Sequence, residues 1–245
     1  MRELSLIAVL ILAMGLRAQA AWIAGEDMAL NEKPDEPDMF HDDTLNPNSL
    51  VPQWSYGYRF TLESTNLTLF ATGDHTDGTT YADLEGFIGN GVSVLVNVGN
   101  APIVINNGPG PLADLNPGEM HLHPSPDNAY AIVRWTSPLG GDFDLSAYWY
   151  DQDPYGGNGA SAHILVNGVL LFDEAFNNGG GTSTVQTVSL NVGDVVDFAL
   201  GSRGDFSYDG TRFDASVGAA VPEPSALGAF LAACAVAWRM RRRGA

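Results

Sequence analysis

The chain has 245 residues, 45% of them hydrophobic and 16% charged, with 28 glycines and a formal net charge of −18. That size supports one domain with a substantial core, and between Ala21 and Ala220 only five basic residues face 27 acidic ones. A surface so negative repels nucleic-acid phosphates and anionic headgroups, and the single cysteine, Cys234, lies near the C-terminus, so the body has neither a disulfide nor a thiol nucleophile.

Arg2, an apolar run from Leu4 to Leu16, and Ala18-Gln19-Ala20 ahead of Ala21 have the charged, apolar and small-residue order of a cleavable secretory signal. Residues 1–20 are therefore expected to form a signal helix outside the domain, cut between Ala20 and Ala21. From 21 to 45 the chain carries many carboxylates, with prolines at 34 and 37. Such a segment buries little apolar surface, which predicts a flexible acidic leader.

The domain is expected over 46–217. Trp54, Tyr56 and Tyr58 fall on one face of an extended piece, because side chains alternate with a period of two; core packing is the first expectation for them and stacking on sugars the second. The β-branched runs 93–98 and 103–106, separated by Gly99-Asn100-Ala101-Pro102, read as a hairpin, and the Gly/Pro-rich stretch 107–118 as a loop.

Strand signals then become plain. Tyr130 to Thr136 is a β-rich run ended by Ser137-Pro138-Leu139-Gly140-Gly141. Phe143, Leu145, Ala147 and Trp149 alternate with Asp144, Ser146, Tyr148 and Tyr150, so one of these faces should be core. His163–Val166 and Val169–Phe172 flank Asn167-Gly168, a pair suited to a type I′ hairpin turn. A second such unit is expected from 185–190 and 195–200 across Asn191-Val192-Gly193-Asp194, and a last strand over 213–217. Short strands with turn chemistry between them and no clear amphipathic helix predict a single antiparallel β-sandwich, all-β in class.

The tail, 218–245, contains Pro222-Glu223-Pro224, an apolar run from Ala226 to Trp238, and four arginines, Arg239, Arg241, Arg242 and Arg243. It closely resembles the PEP-CTERM sorting signal of Gram-negative bacteria. That resemblance implies a short transmembrane helix outside the domain and recognition of the tail by an exosortase, a membrane-embedded protease or transpeptidase that removes it and delivers the protein to the cell surface or extracellular matrix. Thirteen helical residues rise only about 20 Å, short of the roughly 30 Å hydrocarbon core, so the insertion is expected to be transient.

The body, from LHPSPDNAYAIVRWTSPLGGDFDLSAYWYDQD through HILVNGVLLFD and LNVGDVVDFALG to FDASV, resembles a recurrent exported bacterial module of galactose-binding-like jelly-roll type. The resemblance implies two face-to-face antiparallel sheets and carries no catalytic residues with it. Carbohydrate binding is common among related jelly rolls, which is an analogy of fold.

Four constellations could carry chemistry. His121 and His123, two apart in an extended piece, can share a face, but zinc needs a third or fourth ligand. Asp151-x-Asp153 on a Gly-rich loop offers hard oxygens of the kind Ca²⁺ takes, with Asp205, Asp209 and Asp214 as further donors if the fold brings them near. Tyr148, Tyr150 and Tyr155, beside Asp and Asn side chains, suit contacts to a glycan. Paired carboxylates for glycoside hydrolysis have no distinguishing spacing in so acidic a chain, and no Gly-x-Ser-x-Gly, phosphate-loop or HExxH motif occurs. The function expected is a non-catalytic exported protein that binds carbohydrate; a purely structural biofilm-matrix protein and a polysaccharide-active enzyme are the alternatives.

Overall fold

A computed structural model describes residues 22–31, 53–71, 75–77, 83–104, 114–153, 155–177 and 179–220. The signal segment with its Ala20-Ala21 cut and most of the leader lie outside the described residues. So does the sorting tail from 221 onward, with Pro222, Glu223, Pro224, Arg239, Arg241, Arg242 and Arg243. Among the described residues, no helix is long and apolar enough to cross a membrane.

The elements of the N-terminal half are β1 (Trp22–Ile23), α1 (Ala24–Asn31), β2 (Trp54–Arg59), β3 (Thr68–Leu69), β4 (His75–Asp77), β5 (Leu84–Gly89), β6 (Val92–Asn97), β7 (Ile103–Val104), β8 (Asp114–Leu115) and β9 (Met120–His123). The remainder is β10 (Tyr130–Thr136), β11 (Gly141–Asp151), β12 (Ser161–Val166), β13 (Val169–Ala175), β14 (Gly181–Leu190), β15 (Val195–Gly201) and β16 (Thr211–Ala219). The larger sheet runs β14-β11-β16-β9-β6-β5-β4, with β1 beside β16; the smaller runs β13-β12-β15-β10-β2-β3. Pairings within both are antiparallel. The chain is thus nearly all-β, as its alternating pattern predicts.

Alternation decides which residues form the core. Phe143, Leu145, Ala147 and Trp149 of β11 are buried, as are Val196, Phe198 and Leu200 of β15, and the two sheets meet through these rows. Phe198 of the smaller sheet lies 6.1 Å from Phe213 of the larger, and Trp135 lies 5.4 Å from Phe143. Burying each such side chain contributes about 1.5–3 kcal/mol. Trp54 and Tyr56 are buried and Tyr58 packs against the same cluster, so the aromatic face of β2 serves the core.

Three expectations need correction. The runs 93–98 and 103–106 do not form a hairpin: β6 pairs with β5 and β9, and β7 pairs with β8. Nor do 185–190 and 195–200, because β14 joins β11 in the larger sheet while β15 joins β10 and β12 in the smaller; the turn at 191–194 is an arch between layers. Within the expected leader, residues 22–31 form β1 and α1. Ala24 and Met28 are buried in the main core and Trp22 stacks 5.3 Å from Trp135. Asp27 ties this segment down by accepting from the Ile23 N–H and from the Trp54 indole at 2.9 Å. A few well-placed apolar residues thus outweigh the acidic composition around them.

The outer face of the smaller sheet is covered along β10, β15 and β12. Ile132, Leu165 and Ala199 form an apolar cluster there under Leu62 and Leu67 of the 60–67 segment. Arg59 and Arg134 hold that segment by donating to the carbonyls of Ser64 and Thr65, and both pair with buried Asp197 at 2.8 and 2.6 Å.

Candidate functional site

The outer face of the larger sheet is different along β14, β11 and β16. Residues paired directly across an antiparallel ladder share a face. Tyr148 is therefore flanked by Ser183 and Asp214, Tyr150 by Gly181 and Arg212, and Ser146 by Val185 and Ser216. Ser183, Val185, Thr187 and Ser189 of β14 line this face, and Tyr148, Tyr150 and Arg212 are half-buried on it.

Tyr148 and Tyr150, two apart on β11, stand parallel with ring centroids 6.4 Å apart and planes 12° apart. Arg212, from the next strand, places its guanidinium carbon 5.4 Å from each ring centroid and donates from Nη2 to the Tyr148 hydroxyl at 3.0 Å. Its other terminal nitrogen lies 3.8 Å from Glu119. Such cation–π contacts hold both rings in one orientation. Further along the face Thr187 donates to Asp144, and Ser189 to Asp142. Burial pushes the Asp214 carboxyl up to about 6, with Glu119 and Glu26 adding to the rise.

Tyr155 lies on the loop after β11 and is half exposed. At this end of the sandwich Tyr208 packs so closely on Gly156 that a Cβ there would sit 2.5 Å from its ring, and Phe206 meets the His123 ring at 6.2 Å. Phe206, Tyr208 and Tyr155 are all partly exposed, forming an aromatic rim.

Beneath that rim are carboxylates. Asp151 and Asp209 are 0% exposed and Asp153 is 4% exposed. The Asp153 N–H donates to one oxygen of Asp151 at 2.8 Å; the other oxygen of Asp151, Oδ1 of Asp153 and both oxygens of Asp209 have no hydrogen-bond partner. Burial pushes Asp209 up to about 8, helped by the Asp151, Asp205 and Asp153 charges, and pushes Asp151 up to about 7.

His121 and His123 share a face, as their spacing predicts, but no common point. His121 Nδ1 is 2.8 Å from the Gln152 side-chain oxygen and His123 Nδ1 is 2.7 Å from the Pro124 carbonyl. Burial lowers both, His121 to about 4, so both imidazoles are neutral at pH 7. As placed, no three His, Cys, Asp or Glu side chains among the described residues converge on a metal position.

The structure therefore keeps Tyr148 with Tyr150 and puts Tyr155 on the end loop. It brings Asp209 to the Asp151-x-Asp153 motif, while Asp214 belongs to the tyrosine face. Sequence reasoning missed Arg212; the signal was one of the few arginines of the body standing in an alternating strand, legible only once β11 and β16 are known to pair.

Fold and site define an antiparallel β-sandwich with one sheet face covered, a polar and aromatic patch open on the other, and a carboxylate cluster at one end. No protein-family model matches the chain, and no curated protein does. Among solved structures it is similar to a family 35 carbohydrate-binding module from Clostridium thermocellum, 17% identical over 53% of this chain and 92% of that one, with a TM-score of 0.31. It is also similar to the CBM51 of Clostridium perfringens GH95 in complex with methyl-galactose (11% identical, 48% and 79% covered, TM-score 0.31) and to rabbit GITRL (13%, 37% and 74%, TM-score 0.29). At these scores no residue role or activity passes from those proteins to this chain.

Proposed function

We propose that this chain is an exported β-sandwich that binds polysaccharide, without catalysis, on the open outer face of its larger sheet. The observation that supports it most is the parallel pair Tyr148 and Tyr150 with Arg212 against both rings. Ser183 and Ser146 stand beside the pair, and Ser183, Val185, Thr187 and Ser189 of β14 are exposed next to it. A sugar ring presents an apolar C–H face to aromatic carbon and a rim of hydroxyls to carboxylate, hydroxyl and guanidinium groups. Orientation fixed before binding reduces the entropy lost on association.

The route completes the reading. The signal segment is cut after Ala20, and the PEP-CTERM tail inserts transiently in the inner membrane, with Arg239, Arg241, Arg242 and Arg243 held on its cytoplasmic side because arginine resists crossing. An exosortase acts near Pro222-Glu223-Pro224, leaving the sandwich at the cell surface or in the extracellular matrix. The 27 acidic residues against five basic ones between Ala21 and Ala220 suit solubility there. A glycan array probed with the full chain, extended to the host's own exopolysaccharide, tests the binding role: retention on at least one polysaccharide supports it, and none on any overturns it. Sustained release of reducing sugar would replace it with an enzyme.

A further inference from the structure

Asp151 ends β11, Asp153 begins the loop that follows, and Asp209 closes the loop before β16. Pairing of β11 with β16 brings them together, since Asp151 lies opposite Thr211 and the Gln152 N–H donates to the Gly210 carbonyl at 2.7 Å. Gly157 makes the close approach possible. Its φ is +75°, and a Cβ there would meet the Ser207 carbonyl oxygen at 2.2 Å and lie 3.7 Å from Asp209 Oδ1.

Four carboxylate oxygens of these three residues have no donor: Asp151 Oδ2, Asp153 Oδ1, and Asp209 Oδ1 and Oδ2. Arg203 is near enough to attract Asp209, but its Nη1 donates to the carbonyls of Asn158 and Phe176. Unpaired buried carboxylates are costly, and two of these residues are wholly buried.

We propose that Asp151, Asp153 and Asp209 bind one Ca²⁺ ion that ties the loop after β11 to the loop before β16, with backbone carbonyls and water completing the shell. The donors are hard oxygens on irregular loops, which Ca²⁺ accepts with six to eight ligands, whereas Mg²⁺ demands a regular octahedron. Zinc favours nitrogen and sulfur ligands, which a set of three carboxylates does not offer. The ion would brace the rim formed by Tyr155, Phe206 and Tyr208. This inference stands apart from polysaccharide binding on the sheet face.

The test uses the full chain freed of metal with a chelator, then titrated with CaCl2, MgCl2, ZnCl2 or TbCl3. Expected are one equivalent of Ca²⁺ by calorimetry, a melting temperature that rises with Ca²⁺ concentration, and Tb³⁺ luminescence sensitised by the nearby tyrosines and displaced by Ca²⁺. Asp209→Asn, nearly isosteric, should weaken Ca²⁺ binding tenfold or more; if that variant does not fold, the same comparison is made with Asp153→Asn. Absence of stoichiometric Ca²⁺ binding by the unaltered chain overturns the proposal. So does equal affinity in the folded variant, or a Zn²⁺ response that exceeds the Ca²⁺ response.

Discussion

Arg212 and Tyr148 are joined twice: the guanidinium carbon lies 5.4 Å from the ring centroid, and Nη2 donates to the phenol at 3.0 Å. The pair spans β16 and β11, so the orientation of the ring is fixed by a neighbouring strand rather than by its own. Arg212→Lys keeps the charge but loses the planar group that lies against both rings. Denaturant melts should show a loss of about 0.5–1 kcal/mol, and polysaccharide affinity should fall further than stability does. An affinity unchanged in this variant would remove Arg212 from the binding face.

Asp197 supports the opposite face. Its side chain is 1% exposed and it pairs with Arg59 and Arg134, whose side chains are 2% and 15% exposed. Asp197→Ala strands two cations in a desolvated position, and breaking a buried pair from one side costs about 3–5 kcal/mol. Chemical denaturation should show a loss of that order, with the 60–67 segment exchanging its amide hydrogens faster. A loss below about 1 kcal/mol would mean that the segment is held by its apolar contacts alone.

Two buried groups give stability opposing pH slopes. His121 is lowered to about 4 by burial, so the unfolded chain binds its proton first; the contribution is intact above about pH 6.5 and is lost as pH falls towards 4. Asp214 is raised to about 6 by burial, so its contribution is intact below about pH 4 and is lost as pH rises through 6. The slope of stability against pH between about pH 4 and 6 should therefore become more positive in Asp214→Asn and more negative in His121→Gln, as melts at each pH would measure. The reverse ordering would contradict the burial of these side chains.

The Asn167-Gly168 turn carries backbone strain that other residues tolerate poorly. Asn167 has φ 52° and Gly168 has φ 80°; Asn167 also accepts from the Val195 N–H through its side chain at 3.0 Å. Gly168→Ala adds a Cβ 2.8 Å from the Thr65 methyl and should cost about 1 kcal/mol or more. Thermal melts measure it, and a neutral result would show that the turn relaxes.

What the sequence reveals here depends on range. The β12–β13 hairpin is legible because both strands and the turn that joins them are contiguous, and the inward row of β11 because alternation is local. Partners across the sandwich are not legible: Asn191-Val192-Gly193-Asp194 has the chemistry of a hairpin turn, yet β14 and β15 part into different layers. The same limit hides half of each candidate site. Asp151 and Asp153 stand out as a motif, but Asp209 reaches them through the pairing of Asp151 with Thr211. Trp22 and Met28 are concealed by carboxylates whose number says nothing of two apolar side chains that reach the core.

The sorting route makes its own prediction. Protein recovered from the native host should begin at Ala21 and lack Arg239, Arg241, Arg242 and Arg243, which intact mass determines; retention of those arginines would contradict processing of the tail.

Binding of the host's exopolysaccharide by the folded chain and by a Tyr148→Ala/Tyr150→Ala variant, compared by affinity electrophoresis, addresses the central claim most directly. The account predicts retardation of the unaltered chain and a loss of affinity of about tenfold or more in the variant, equivalent to about 1.4 kcal/mol, with the variant still folded and its stability lowered at least as far as that of Arg212→Lys. No retardation of the unaltered chain, or equal retardation of both, would contradict it.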